Sequence, residues 1–251
     1  MRSGSNAICD LLARTGLGFP GELFQVPPSA INNEPWLDAF ERHVREHHSG
    51  GIFGSKMGHN HRAALDECLR AAIPGYRHLD DVLPHHRWVK LVRRDIILQA
   101  ISLCRAESSN CWAVSEIDQT QHSGFRYDFF HVLSRIMLVH AGNLAWDVYF
   151  QAQGISPFVV VYEDFFEDLD RHLPALIDHL GGLPSGRVSL DMGQRFKVQR
   201  DTLSDEVRER FVSDFNRVGE TSLVEEIGAP WNRWTRFFNE RQWQSAVDDL
   251  D

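Results

Sequence analysis

The segment Leu91-Val-Arg-Arg-Asp-Ile-Ile-Leu-Gln-Ala-Ile-Ser102 decides the fold class, because it predicts a strand that turns directly into a helix. The strand is expected over residues 87–93 and the helix over 95–106. A second strand is predicted at Phe158-Val-Val-Val-Tyr162, whose unbroken apolar run is the pattern of a strand buried on both faces. Strands separated by helices predict βαβ units around a mostly parallel sheet, so the chain is expected to be α/β.

Apolar residues at helical spacing predict further helices on either side of these strands. They are expected over 6–14, 39–48, 62–73, 127–151, 169–180 and 204–218. Gly16 is the expected C-cap of the first, residues 18–28 form a Gly/Pro-rich loop, and 52–57 predict a short buried strand. Since no repeat or long linker divides the 251 residues, one domain is expected over 1–251, with the aromatic tail 228–251 as a packing or dimer helix.

Composition limits the class of function. The net charge of −9 and the lack of any basic block argue against a nucleic-acid partner. The four cysteines form no C-x-x-C pair, which is typical of free thiols in a reducing compartment. Because no apolar run approaches the ~18 residues of a membrane span, and no signal peptide is recognisable, a cytoplasmic location is expected.

The first residues of the chain have the composition of an anion-binding loop. A Ser-Gly-Ser sequence that runs into a helix offers backbone N–H groups, hydroxyls and a helix N-terminus to one negative group. The residues of this candidate loop are Arg2, Ser3, Gly4, Ser5 and Asn6. An N-terminal tail that binds nothing is the alternative interpretation.

Five segments in order carry a resemblance to a known family. They are Arg2-Ser-Gly-Ser, Glu22-Leu-Phe-Gln, Gly54-Ser-Lys-Met, the segment 91–102 and Val159-Val-Val-Tyr-Glu-Asp-Phe. Together they resemble the bacterial trehalose 2-sulfotransferases, which use PAPS (3′-phosphoadenosine-5′-phosphosulfate) to sulfate carbohydrates. The resemblance implies a P-loop-like three-layer sandwich, PAPS as the sulfuryl donor with PAP as product, a sugar hydroxyl or other small molecule as acceptor, and a homodimer.

The resemblance also implies the catalytic roles. Glu22 is the expected base for the acceptor hydroxyl, and Lys56 is expected to steady the sulfonate. Arginine cannot act as an acid at neutral pH, since its pKa is above ~12, so Arg2 is assigned to electrostatic stabilisation of the leaving phosphate. Gln25 and His59 are expected on the acceptor side, and His59 stands where the family often has a tryptophan. A solvated surface charge is the alternative interpretation of Glu22.

Two further groups of residues are expected to bind the nucleotide. The 3′-phosphate clamp resembles Arg93 with Ser102, since a strand end and the next helix can direct a guanidinium and a hydroxyl to one phosphate. Arg94 has the spacing to Ser102 found in other sulfotransferases, and is kept as a second candidate. The alternative is that Arg94 begins the helix as an exposed charge while Ser102 points to solvent. Weaker matches add Lys197, Gln199 and Arg200.

Three other features of the sequence bear on function. The paired histidines lack metal-ligand spacing and nearby carboxylate clusters, so no metal is expected. Only Met1 precedes Arg2, where the family has its first core strand, which predicts that this strand is missing and the start truncated. Two other functions are therefore considered: a non-catalytic PAPS-binding protein that retains the fold, and a P-loop nucleotide kinase, against which the absence of Gly-Lys-Ser/Thr argues.

Overall fold

A computed structural model describes residues 4–18, 20–24, 36–49, 52–109, 125–182 and 202–219. These residues belong to two compact units. The first comprises Met1–Arg126 and Phe130–Gln199, and the second comprises Tyr127–Phe129 and Arg200–Asp251. The predicted tail helix over 228–251 lies outside the described residues.

Helices predominate in the described residues, and the strands are short. In chain order the elements are α1 (Ser5–Arg14), α2 (Trp36–Glu46), β1 (His48–Ser49), β2 (Ile52–Phe53), α3 (His59–Ala72), β3 (Val89–Val92), α4 (Ile96–Ser109), α5 (Phe129–Ala152), β4 (Phe158–Val161), α6 (Tyr162–Glu167), α7 (Leu169–His179) and α8 (Thr202–Gly219). A 3₁₀ turn at Leu79–Asp81 lies between α3 and β3.

The two central strands form a small parallel sheet. β3 pairs with β4 in a register that runs from Val89 opposite Phe158 to Val92 opposite Val161. Successive side chains of a strand point to opposite faces, so Val89 and Phe158 share one face and Lys90 shares the other with Val159. The α/β prediction is confirmed, since helices flank this sheet.

One face of the sheet packs on the main hydrophobic core of the first unit. Leu11 of α1, Val160 of β4, Phe165 of α6 and Leu176 of α7 are each 2% exposed or less and belong to one cluster. α1 contributes apolar residues at helical spacing, as predicted, and ends beside Gly16, whose φ of 78° is in the left-handed region. The start of α1 is therefore held against the sheet by its own buried face.

A second cluster holds the loop before α2. Phe24 packs with Phe40 of α2 and with Leu65 and Leu69 of α3, and all four are buried. The ring of Phe24 also stands edge-on to that of Phe53 in β2, with 6.0 Å between centroids. This anchoring fixes the short segment 20–24 although it has no helix or strand of its own.

The other face of the sheet is only partly covered. Lys90 forms an ion pair with Asp147 of α5, and Trp88, just before β3, packs tilted on Trp146 at 5.5 Å. Val159 is 54% exposed, so the prediction that 158–162 is buried on both faces is wrong. An apolar run does not specify which helix covers each face, and Tyr162 moreover begins α6 instead of ending the strand.

Other boundaries also differ from the predictions. The helix expected over 39–48 ends at Glu46, and His48 instead pairs with Phe53 in an antiparallel β1–β2 ladder. The buried strand expected over 52–57 is reduced to Ile52–Phe53, and both residues are only partly buried.

Cys104 is buried, Cys9 and Cys68 are partly exposed, and all three are free thiols. Within the described residues, no helix has both the length and the apolar character needed to cross a membrane.

The second unit is built on α8. Tyr127 donates its hydroxyl hydrogen bond to Asp214 at 2.9 Å, and the guanidinium of Arg210 lies 4.5 Å from the centre of the Tyr127 ring. Phe129 stacks on the buried Phe211, with centroids 5.2 Å apart. None of the predicted site residues lies in the described part of this unit.

Candidate active site

Three sequence-predicted site residues meet beside the first turn of α1. The Lys56 Nζ lies 3.1 Å from Glu22 Oε1 and donates a hydrogen bond to Asn6 Oδ1. The side chain of Glu22 is 40% exposed and that of Lys56 is 20% exposed. A cation that contacts both a carboxylate and an amide oxygen is held in place more firmly than a single surface ion pair would hold it.

The main chain brings Glu22 and Lys56 together. Gly21 and Ser55 form a parallel β-bridge, and the Lys56 N–H donates to the Gly21 carbonyl at 2.8 Å. The Ser55 hydroxyl donates to the same carbonyl at 3.2 Å. Residues 34 positions apart in the sequence are thus tied by their backbones, and the side chains that follow them point into one region.

These residues line an open cleft of about 410 Å³. α1 contributes Asn6, Cys9, Asp10 and Ala13 to its walls, and the opposite wall is formed by Pro20, Gly21, Glu22 and Lys56. Burial raises the pKa of the Cys9 thiol to about 11, with Lys56 lowering it and Glu22 raising it by smaller amounts. The thiol is therefore protonated at neutral pH and is not a nucleophile there.

The start of α1 contains Gly4, Ser5 and Asn6 of the candidate anion-binding loop. Gly4 is the N-cap, with φ 85°, and its carbonyl accepts from Ala7 N–H at 3.1 Å. No described side chain caps this helix, so its first N–H groups are directed outward. A Cβ atom on Gly4 would overlap the ring of Tyr162, and only glycine fits there.

Arg93 and Arg94 lie where β3 ends, as predicted. The guanidinium of Arg93 lies 4.7 Å from the centre of the Tyr162 ring, and its Nε is 3.7 Å from Glu163 Oε1. Arg94 is 63% exposed and pairs with Asp164. Each arginine thus has an acidic neighbour in α6, and an incoming phosphate would compete with that neighbour.

Ser102 lies on the helix expected to carry it, whereas His59 lies on a helix that begins three residues earlier than the one predicted over 62–73. Ser102 lies on α4, the helix after β3, and is partly buried. His59 begins α3, three residues after Lys56, and meets Trp146 edge-on at 5.9 Å. Burial lowers the pKa of His59, the nearby Arg62 lowers it further, and Asp66 has a smaller opposite effect. The imidazole is therefore neutral at pH 7.

The remaining predicted site residues lie outside the described residues. They are Arg2, Ser3, Gln25, Lys197, Gln199 and Arg200. Among the described residues, no group of three or more His, Cys, Asp or Glu side chains could hold a metal ion.

Sequence reasoning missed Tyr162, the residue that links the two halves of the site. Its ring packs against Gly4 and lies 4.7 Å from the guanidinium of Arg93. The segment Val159-Val-Val-Tyr-Glu-Asp-Phe was itself a visible signal, because a tyrosine and two acids at the end of a strand lie where parallel sheets bind ligands.

A family model described as Stf0 sulphotransferase matches residues 28–214. The match contains the segments at Lys56, Arg93 and Tyr162, while Gly4, Asn6 and Glu22 precede it. No curated protein matches the chain.

Proposed function

Because the chain belongs to the Stf0 sulphotransferase family, we propose that it transfers a sulfuryl group from PAPS to a hydroxyl group of a carbohydrate or another small acceptor. The structural observation that carries this proposal is the contact of Lys56 Nζ with both Glu22 and Asn6 beside the open start of α1. The P-loop-like three-layer sandwich and the homodimer belong to the same proposal.

The described residues fit a phosphosulfate donor at this end of the sheet. Gly4 in the left-handed conformation, the uncapped start of α1 and Lys56 together offer N–H groups and a cation to one anion. Arg93 lies over the Tyr162 ring, which also packs against Gly4, and a second cation so near the start of α1 suits a nucleotide that carries a second phosphate. PAPS, when bound, supplies the activated sulfuryl group.

Glu22 is the proposed general base. Its carboxylate can accept the proton of an acceptor hydroxyl in the cleft as the oxygen attacks the sulfur. The Lys56 ammonium group lies 3.1 Å from this carboxylate, and it can also stabilise negative charge on the sulfonate oxygens. The acceptor hydroxyl therefore has to enter between the two side chains.

The proposal is tested first by calorimetric binding of adenosine 3′,5′-bisphosphate, 5′-AMP and ATP, and then by transfer of radiolabelled sulfate from PAPS to a panel of sugars and small alcohols. We expect the bisphosphate to bind most tightly and at least one acceptor to be sulfated. Tighter binding of ATP would contradict the proposal and support a kinase.

Substitution of Glu22 separates an enzyme from a non-catalytic PAPS-binding protein. Glu22→Gln should lower kcat about 10²- to 10⁴-fold, the usual contribution of a general base, while donor binding is kept. The matched control is Asp147→Asn, which also breaks a lysine–carboxylate pair, but on the other face of the sheet. An absence of turnover in every variant, with the bisphosphate still bound, would support the non-catalytic alternative.

A further inference from the structure

One aromatic ring contacts both parts of the proposed donor site. The ring of Tyr162 fills the space that a side chain on Gly4 would occupy. The guanidinium of Arg93 lies 4.7 Å from the centre of the same ring, a cation–π distance. The position of Arg93 relative to the start of α1 is therefore set through Tyr162.

The next residue holds the turn from which Arg93 projects. Glu163 Oε2 accepts the N–H of Arg94 at 2.9 Å, and its Oε1 lies 3.5 Å from the N–H of Asp95. Backbone donors at the entry to α4 are thus bound by a carboxylate that lies nearly 70 residues away in the sequence. Charge-assisted hydrogen bonds of this kind are about twice as strong as neutral ones.

We propose that Tyr162 and Glu163 are positioning residues for the 3′-phosphate clamp, acting through Arg93. The ring of Tyr162 fixes the distance between Arg93 and the anion-binding start of α1, and Glu163 fixes the direction of the turn that carries Arg93. A ribose with phosphates at both its 3′ and 5′ carbons bridges these two points, and a nucleotide with a 5′-phosphate alone does not. This inference rests on the proposed function.

The test is the ratio of the dissociation constants for 5′-AMP and adenosine 3′,5′-bisphosphate, since this ratio isolates the contribution of the 3′-phosphate. Hydrogen bonds to charged groups predict a ratio of about 10 to 150 in the unaltered protein. Tyr162→Leu should lower it about 2- to 30-fold, the range of a cation–π contact, whereas Tyr162→Phe should keep it. Glu163→Gln removes the charge that competes for Arg93 but keeps a side-chain oxygen for the Arg94 N–H, whereas Glu163→Met keeps neither. The ratio should therefore be lower in Glu163→Met than in Glu163→Gln, and this pair carries the test by itself if Tyr162→Leu does not fold.

The matched control uses a second arginine–tyrosine pair of the same unit. Arg62 lies 4.1 Å from the centre of the Tyr149 ring, and Tyr149→Leu should leave the nucleotide ratio unchanged. In an Arg93→Ala background, Tyr162→Leu should cause no further fall in the ratio, because it acts through a side chain that is no longer there.

The possible failures are distinguishable. If the unaltered protein binds both nucleotides equally, or binds neither, the proposed donor is wrong and the positioning role is wrong with it. If the ratio is high, survives Tyr162→Leu in folded protein and is equal in Glu163→Gln and Glu163→Met, the positioning role alone is refuted and the proposed function stands.

Discussion

Gly4 offers a sharp test of the structure, because the chain contains a matched second glycine. Gly4 and Gly75 both have φ 85°, so alanine at either position is expected to destabilise the protein by about 1–2 kcal/mol through the backbone alone. Their surroundings differ. A Cβ on Gly75 meets nothing within 4 Å, whereas a Cβ on Gly4 overlaps the Tyr162 ring.

The added overlap at Gly4 has a predictable size. Forcing an extra methyl group into a packed site usually destabilises by about 1–3 kcal/mol, so Gly4→Ala should lower the free energy of unfolding by about 2 kcal/mol more than Gly75→Ala. At roughly 2–4 °C per kcal/mol for a chain of this size, the difference in Tm is about 4–8 °C. Parallel thermal and urea unfolding of the two variants measures it.

A third variant assigns the difference to the tyrosine. In a Tyr162→Ala background the methyl group on residue 4 meets no ring, so the two glycine substitutions should then destabilise equally. The reasoning is refuted if Gly4→Ala and Gly75→Ala differ by less than about 0.5 kcal/mol in the native background, since the ring would then not pack on Gly4.

Two further predictions use the titrating groups of the first unit. Lys56 lowers and Glu22 raises the pKa of the buried Cys9 thiol. Alkylation of Cys9 by iodoacetamide at pH 8, followed by mass spectrometry of the Cys9 peptide, should therefore be faster in Glu22→Gln and slower in Lys56→Met than in the unaltered protein. Equal alkylation rates in all three proteins would contradict the cleft geometry. His59 has a lowered pKa in the folded protein, so the unfolded chain binds more protons below its own pKa of ~6.5 and stability falls as the pH drops through that value. Urea unfolding between pH 7.5 and 5 should show that the free energy of unfolding falls less for His59→Gln than for the unaltered chain. An equal fall in both proteins would refute the assignment to His59.

Local patterns predicted those parts of the fold whose causes are local. The spacing of Ile8, Leu11 and Leu12 predicted α1, and the structure buries all three on the sheet side. The exposure of Val159 could not be predicted in the same way, because the apolar character of a strand residue does not show whether a helix covers it. The helical pattern of the sequence extends to His48, but in the structure His48 pairs with Phe53 in a two-residue antiparallel ladder.

The resemblance named the residues of the candidate site but not their contacts. Resemblance singled out Glu22, Lys56 and Asn6, and the structure brings them together. Their contacts depend on a backbone bridge between Gly21 and Ser55, and neither residue has a side-chain pattern that signals such a bridge. The positioning role proposed for Tyr162 depends on the absence of a side chain at Gly4, and no periodicity connects positions so far apart in the chain.

The shared carbonyl of Gly21 has a consequence for how acceptor preference can change. The backbone bridge and both hydrogen bonds meet at the Gly21 carbonyl, so main-chain contacts hold the residues that carry the Glu22 carboxylate and the Lys56 amine at a fixed spacing. Substitutions in the surrounding wall, at Ala13 or Pro20 for example, can reshape the cleft without moving either group. Under the proposed function, we expect a library that varies only the wall residues to change which acceptors are sulfated while Glu22 and Lys56 keep their roles.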